Sequence, residues 1–145
     1  MCVSILEQVQ TDTREAMKAG ERELVGALRL VSSALHLEHK EGKGDEVAVL
    51  RRERKRRLEA AEAYRRSGSE DRAAGEEREA EVIERYLPQE LSDEELGELV
   101  EAAIAEAGAA DPAQTGKVMS IVMPKIDRRA DGKRVSAAVR ERLGG

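Results

Sequence analysis

Apolar residues recur every three or four positions along most of the chain, which is the spacing of one buried face of an α-helix. The first two stretches of this kind carry Leu6, Val9, Ala16 and Met17, then Leu24, Leu28, Val31 and Leu35. No stretch alternates between apolar and polar residues as a half-buried strand would. The pattern therefore predicts an all-α fold.

Residues that start and stop helices divide this pattern into seven predicted helices. Glycine or proline ends the first four, because neither residue continues a helix well. Asp45 and Asp131 are predicted N-caps, and Ser92 with Glu95 has the capping-box spacing. The predicted helices are Ser4 to Ala19, Glu21 to about Glu41, Asp45 to Ser67, Glu70 to Leu87, Ser92 to Gly108, one from Thr115 with Pro124 near its end, and one after Asp131.

The segment Leu87 to Leu91 is the best candidate for a domain boundary. It separates an N-terminal helical domain, 1–88, from a C-terminal three-helix domain, 89–145. Residues 51–66 hold eight basic and three acidic residues, whereas residues 70–90 hold eight acids and three arginines. A short turn joins these segments, so we expect a long antiparallel helix hairpin. Charge pairing along it is favoured over a second phosphate-binding surface.

Composition narrows the class of protein. Charged residues make up 38% of the 145 residues and aromatic residues 1%, so Leu, Val, Ile, Ala and Met must supply the core. The single cysteine, Cys2, rules out an internal disulfide and fits a reducing compartment. No apolar run approaches the roughly 18 residues that a membrane helix needs. With a polar, amphipathic start to the chain, these features predict a cytoplasmic protein without membrane contact.

Motifs for common enzyme chemistry are missing. Gly116-Lys117 is followed by Val118 and lacks the upstream glycine of a phosphate-binding loop, and no dinucleotide fingerprint occurs. His36 and His39 lie three residues apart on one predicted helix, without zinc-site spacing or a cysteine cluster. Cys2 has no partner in a nucleophilic arrangement. We therefore predict no catalytic residues, no metal and no cofactor.

The last thirty residues, 116–145, are basic within an acidic chain and are called the basic tail below. They hold eight basic and three acidic residues, a charge of 8 − 3 = +5 in a protein of net charge −5. The eight are Lys117, Lys125, Arg128, Arg129, Lys133, Arg134, Arg140 and Arg142. Several surround the predicted N-terminus of the last helix, whose N–H groups and dipole favour anions. One interpretation is therefore a surface that binds RNA phosphates. The alternative is a solvated basic turn whose charge balances the acidic helix 92–107.

Two stretches of sequence resemble the YqeY-like proteins, stand-alone relatives of the tail domain of GatB in the tRNA-dependent amidotransferase. The first is GKVMSIVMPKIDRRADGKRV, from Gly116 to Val135, and the second is YLPQELSDEEL, from Tyr86 to Leu96. Weaker similarity at Met17 to Ala19 and at Leu28 to Val31 extends the resemblance over nearly the whole chain. Ser120 stands where the family usually has Gly, and Asp127-Arg128 replaces a more typical Lys-Gly pair.

The resemblance implies a non-catalytic tRNA-binding or tRNA-associated accessory module, because the related tail domain helps to hold tRNA while other domains do the chemistry. The family label of carbon–nitrogen ligase with glutamine as amide donor is then inherited from the larger enzyme. The candidate nucleic-acid-binding residues are Lys117, Lys125, Arg128, Arg129, Lys133 and Arg134. The alternative is a helical protein-interaction adaptor that docks through the acidic helix 92–107 and the hairpin without nucleic acid.

Overall fold

The computed structural model describes residues 3–144, so Cys2 lies outside the described residues. It contains seven α-helices and, within those residues, no strand, which confirms the predicted all-α class. A short 3₁₀ turn, Pro112–Gln114, precedes the sixth helix. The helices are α1 Ile5–Ala19, α2 Arg22–Glu41, α3 Glu46–Arg66, α4 Glu70–Glu84, α5 Asp93–Ala107, α6 Thr115–Ile126 and α7 Gly132–Arg142.

Most helix ends follow from the capping residues. The side chains of Asp45, Ser92 and Asp131 accept hydrogen bonds from backbone N–H groups at 3.1, 3.1 and 2.8 Å. Gly20 and Gly108 end α1 and α5 in the left-handed conformation, which glycine adopts without steric cost. These contacts confirm the predicted caps of α3 and α7 and the Ser92 half of the predicted capping box.

Two local features differ from the prediction. Helix α4 ends at Glu84, before the predicted Leu87, because the N–H groups of Tyr86 and Leu87 bond to carbonyls three residues back in a tightened turn. The turn before α6 was not predicted. There Asp111 accepts from the N–H of Ala113, and Gln114 accepts from the N–H of Asp111, which caps the turn at both positions.

The chain divides into two compact units, Met1–Leu87 and Pro88–Gly145, called the N-terminal and C-terminal units below. The core of the N-terminal unit comes from α1, α2, the start of α3 and the end of α4. Its most buried large side chains are Val9, Leu28, Leu35, Leu50 and Ile83, all at most 1% exposed. Aliphatic residues therefore build this core, as the composition predicted.

Helices α3 and α4 run antiparallel and are joined by ion pairs. Arg54 reaches Glu84 at 3.6 Å, Arg57 reaches Glu79 at 2.9 Å, and Arg65 contacts Glu77. Seven of the eight basic residues between 51 and 66 have an acidic side chain within 4.0 Å, and Arg51 is also engaged. This arrangement supports charge pairing over a phosphate-binding surface on α3.

Helices α5, α6 and α7 enclose the core of the C-terminal unit. Val100, Val118, Val122, Val135 and Val139 are all fully buried. Val118 and Val122 are four residues apart on α6, as are Val135 and Val139 on α7, so each pair shares one side of its helix. Met123, also on α6, is 37% exposed.

Candidate nucleic-acid interface

Residues 127–131 form the turn that joins α6 to α7 and lies at the centre of the predicted site. Asp127 and Arg128 both have positive φ, 48° and 62°, although neither is glycine. A left-handed conformation costs an L-residue about 1–2 kcal/mol, and Asp tolerates it better than Arg. These two residues occupy the positions where the sequence departs from the Lys-Gly pair of the resembled family, so the turn keeps a glycine-like conformation without glycine.

Three of the six predicted site residues face the acidic helix α5. The Nζ atom of Lys125 lies 2.9 Å from Glu106, and a terminal nitrogen of Arg134 lies 2.8 Å from Asp93. Arg129 lies 3.3 Å from Glu95. Each of these ion pairs is at least partly solvent-exposed, so each is weak. The positive charge of these three side chains is largely balanced within the unit.

Arg129 also holds the segment that leads into α5. Its Nε donates a hydrogen bond to the carbonyl of Gln89 at 2.9 Å, and its own carbonyl accepts from the N–H of Leu91 at 2.8 Å. Hydrogen bonds from Ser92, followed by the nearby guanidinium of Arg129, hold the pKa of Glu95 below its usual range. Arg129 therefore joins three segments of the unit and has a structural role.

Three other cations of the tail have exposed side chains and, among the described residues, no ion pair, and they are called the unpaired cations below. They are Lys117, Lys133 and Arg140. In the described part of the chain, none of them has an acidic group within ion-pair distance. Lys133 and Arg140 are seven residues apart on α7 and therefore share one exposed face. Arg140 was not among the predicted site residues, although this spacing could have identified it.

The six predicted residues do not form a single cluster. Lys125, Arg128, Arg129, Lys133 and Arg134 lie within or next to the turn, and Arg128 is exposed but engaged in a contact. Lys117 lies in the first turn of α6, eight residues before Lys125, which corresponds to a rise of about 12 Å and a rotation of about 80°. Lys117 is therefore separated from the turn by most of the length of α6.

The N-terminus of α7 is less available to an anion than the sequence suggested. Asp131 accepts the N–H of Arg134 at 2.8 Å, so a carboxylate already occupies part of this helix end. The C-terminal unit as a whole holds eight basic and eleven acidic residues from 88 to 145, a net charge of 8 − 11 = −3. The basic tail is thus embedded in an acidic unit.

Helix α5 supplies most of that acidity. Asp93, Glu95 and Glu106 pair with the tail as described above, and Glu101 lies 3.6 Å from Arg142. Glu94 and Glu98, one turn apart, have no basic side chain within ion-pair distance among the residues the structure covers. The charges of α5 and the tail therefore balance each other only in part, because each has side chains without an ion pair among the described residues.

The histidines have polar partners in the N-terminal unit. His36 lies 3.2 Å from the side-chain nitrogen of Gln10, and His39 lies 3.2 Å from a carboxylate oxygen of Glu46. Between residues 3 and 144, no group of three His, Cys, Asp or Glu side chains is placed to hold a metal ion. Over the same residues, no helix combines the length and apolarity that crossing a membrane requires.

A family model described as Yqey-like protein matches residues 6–143, essentially the whole chain. The chain belongs to this family. A comparison with curated proteins gave no match. The match confirms the resemblance drawn from the two sequence blocks, and in this Yqey-like chain it spans both structural units, including α5, the turn and α7.

Proposed function

We propose that this Yqey-like protein is a non-catalytic accessory module that binds tRNA through its C-terminal three-helix domain, 89–145. In this proposal the chain has two domains, and the N-terminal domain, 1–88, contains the long hairpin of α3 and α4. Family membership supports this proposal, since the resembled GatB tail domain helps to hold tRNA. The ligase chemistry belongs to the larger enzyme, which this chain assists in trans.

The observation that carries the proposal is the set of unpaired cations. Lys133 and Arg140 extend along one exposed face of α7 without acidic partners among the described residues, so their charge is available to phosphate groups. Phosphate contacts supply most of the affinity of non-specific nucleic-acid binding. Lys125, Arg129 and Arg134 have weak exposed ion pairs, which a phosphate can replace, and Arg128 lies beside them in the turn.

Fluorescence anisotropy of labelled bulk tRNA with the full chain, across a salt series, tests this function. We expect saturable binding that weakens steeply as salt rises, because phosphate contacts release counterions. The double variant Lys133→Glu, Arg140→Glu should reduce affinity at least tenfold, on the order of the 1.4 kcal/mol that a tenfold change represents. Duplex DNA should compete less well than unlabelled tRNA.

The matched control reverses two charges on α3. Lys55 and Arg66 are both 78% exposed and pair with Glu59 and Glu62 on their own helix. The variant Lys55→Glu, Arg66→Glu changes the net charge by the same amount as the α7 variant, so it separates a local site from general electrostatics. Equal losses in the two variants, or no binding at low salt, would contradict a tRNA site on α7.

A protein-interaction adaptor without nucleic-acid binding is the second candidate. Glu94 and Glu98 favour it, because these exposed carboxylates on α5 have no cationic partner in the described part of the unit. They would meet basic residues of a partner protein. Glu94→Lys, Glu98→Lys should then abolish capture of that partner and leave tRNA binding unchanged or stronger.

A further inference from the structure

The outward face of α2 carries exposed apolar side chains. Leu30 and Leu37 are 49% and 55% exposed, whereas Leu28 and Leu35, which point the opposite way, are 1% and 0% exposed. Gly26 lies one turn before Leu30 on the outward face, and a Cβ added there would meet no atom within 4 Å. One stripe of α2 therefore holds two protruding leucines and a hollow.

A groove between α2 and α4 adjoins this hollow. It has a volume of about 700 Å³, and its apolar lining includes Gly26, Ala27, Leu30, Gly75 and Val82. Two glycines and an alanine in this lining leave room for a large side chain from outside. A leucine from another molecule would fill space that no side chain of this unit occupies, and its burial would remove apolar area from water.

The stripe is complementary to itself when two copies of α2 run antiparallel. Placing Leu37 of one copy against Gly26 of the other also brings Leu30 of the first against Ser33 of the second. A leucine then lies opposite a small residue at every apolar position of the contact. By symmetry the same contacts form twice, which is the property of a closed two-fold interface.

The charged residues at the two ends of α2 agree with this register. It places Arg22 of one copy against Glu41 of the other, and Glu23 against Lys40. Within the described residues, Arg22, Lys40 and Glu41 have no ion pair, and Glu23 is 89% exposed with only a 3.9 Å contact to Arg78. All four charges thus acquire opposite partners at both ends of the contact.

We propose that the chain forms a two-fold dimer through antiparallel α2 helices, with Leu37 of each copy seated at Gly26 beside the groove of the other. A 20-residue helix is about 30 Å long, and one such face buries less than the about 1,200–2,000 Å² of stable complexes. The dimer is therefore weak and depends on protein concentration.

Analytical ultracentrifugation of the full chain over a concentration series, up to about 1 mM, tests the dimer. The mass should rise from the 15.9 kDa monomer towards twice that value. Gly26→Leu fills the hollow and removes a helix-interior glycine, so it should abolish association while keeping or raising the melting temperature. A wild-type chain that stays monomeric, or a Gly26→Leu variant that dimerises normally, would overturn the proposal.

A matched control replaces another exposed helical glycine. Gly116 in α6 also has nothing within 4 Å of an added Cβ, and it lies outside the N-terminal unit. Gly116→Leu should dimerise like the wild type. Loss of association in this variant to the same degree as in Gly26→Leu would indicate contact through a different surface and would contradict the α2 interface.

Charge exchange tests the register. Arg22→Glu alone, or Glu41→Arg alone, places like charges together at both ends and should weaken the dimer roughly 2- to 30-fold. Each single change suits the helix dipole, so the monomer should not lose stability. Arg22→Glu combined with Glu41→Arg should restore the wild-type dissociation constant, and failure of the combination to restore it would refute this pairing.

Discussion

The basic segments of α3 and of the tail have eight positive side chains each but use them differently. On α3, seven of the eight have an acidic group within 4.0 Å and the eighth, Arg51, is also engaged. In the tail, three exposed cations have no acidic partner among the described residues. A count of basic residues therefore does not identify a binding surface, whereas the positions of the acids do.

The difference has a geometric cause. Helices α3 and α4 lie side by side, so Arg54, Arg57 and Arg65 reach acids of α4. Lys55, Arg56 and Arg66 instead pair with acids of α3 itself, three or four residues away. Helix α7 instead turns Arg134 and Arg142 towards α5 and leaves Lys133 and Arg140 on its exposed face. Lys133 and Arg140 stay available for a ligand because no acid lies three or four residues away from either on α7.

Among substitutions of these cations, we expect the largest loss of stability at Arg57 on α3. Its side chain is only 20% exposed and lies 3.5, 3.9 and 2.9 Å from the carboxylates of Glu53, Glu76 and Glu79. Arg57→Ala leaves the partly buried Glu76 and Glu79 without a cation, whereas Glu53 keeps Arg56. The free energy of unfolding should therefore fall by about 1–3 kcal/mol. Urea denaturation monitored by circular dichroism measures the change.

Arg56, the preceding residue, provides the control. Its side chain is 72% exposed and pairs with Glu53 at 3.3 Å. Arg56→Ala should change the free energy of unfolding by less than about 0.5 kcal/mol. If the two variants lose equal stability, the position of Arg57 between the helices has no special energetic role.

A smaller loss is expected at Arg129, the structural arginine of the tail. Arg129→Ala removes the hydrogen bond to the Gln89 carbonyl, which should cost about 1–2 kcal/mol of unfolding free energy, and it also removes the exposed ion pair with Glu95. Arg129→Lys should recover little, because one ammonium group cannot reproduce contacts made through both Nε and a terminal nitrogen. Lys133→Ala should leave stability unchanged, and thermal unfolding followed by calorimetry compares the three variants.

A tRNA assay on the same variants separates structure from binding in the tail. Lys133→Ala should weaken tRNA binding while it preserves the melting temperature. Arg129→Ala should lower the melting temperature, with a lesser effect on affinity at temperatures where the unit stays folded. The reverse assignment would mean that the paired arginines, and not the unpaired cations, contact the ligand.

Local rules made most of the fold predictable. The helices and their caps follow from spacing within a few residues, as Asp45 and Asp131 illustrate. The early end of α4 depends on backbone hydrogen bonds that no residue pattern indicates. The turn before α6, in contrast, has a capping pattern in the sequence, with Asp111 followed by Pro112 and then by Gln114. The spacing of Lys133 and Arg140 was visible in the sequence, but their lack of partners was not.

The candidate site was less predictable because its ion pairs join distant positions. Arg134 meets Asp93 across 41 residues, and Lys125 meets Glu106 across 19. Such pairs are fixed by how α5, α6 and α7 pack, and the charge sequence alone is equally consistent with a fully exposed basic patch. The sequence therefore indicated where the positive charge lies but not how much of it α5 balances.

The smallest effect is expected on the stability of the protein at acidic pH. It distinguishes an acid of α5 that has an ion pair from one that has none among the described residues. Hydrogen bonds from Ser92, followed by the charge of Arg129, lower the pKa of Glu95 in the folded state. Its contribution to stability is therefore present above the unfolded pKa, about 4.3, and is lost as the pH falls through the lower folded value. Glu95→Gln should make stability fall less steeply below about pH 4.5. Glu98→Gln, which removes an exposed acid without an ion pair in the described unit, should leave the profile unchanged. Urea midpoints measured from neutral to acidic pH compare the two, and coincident profiles would show that the contacts of Glu95 do not couple to folding.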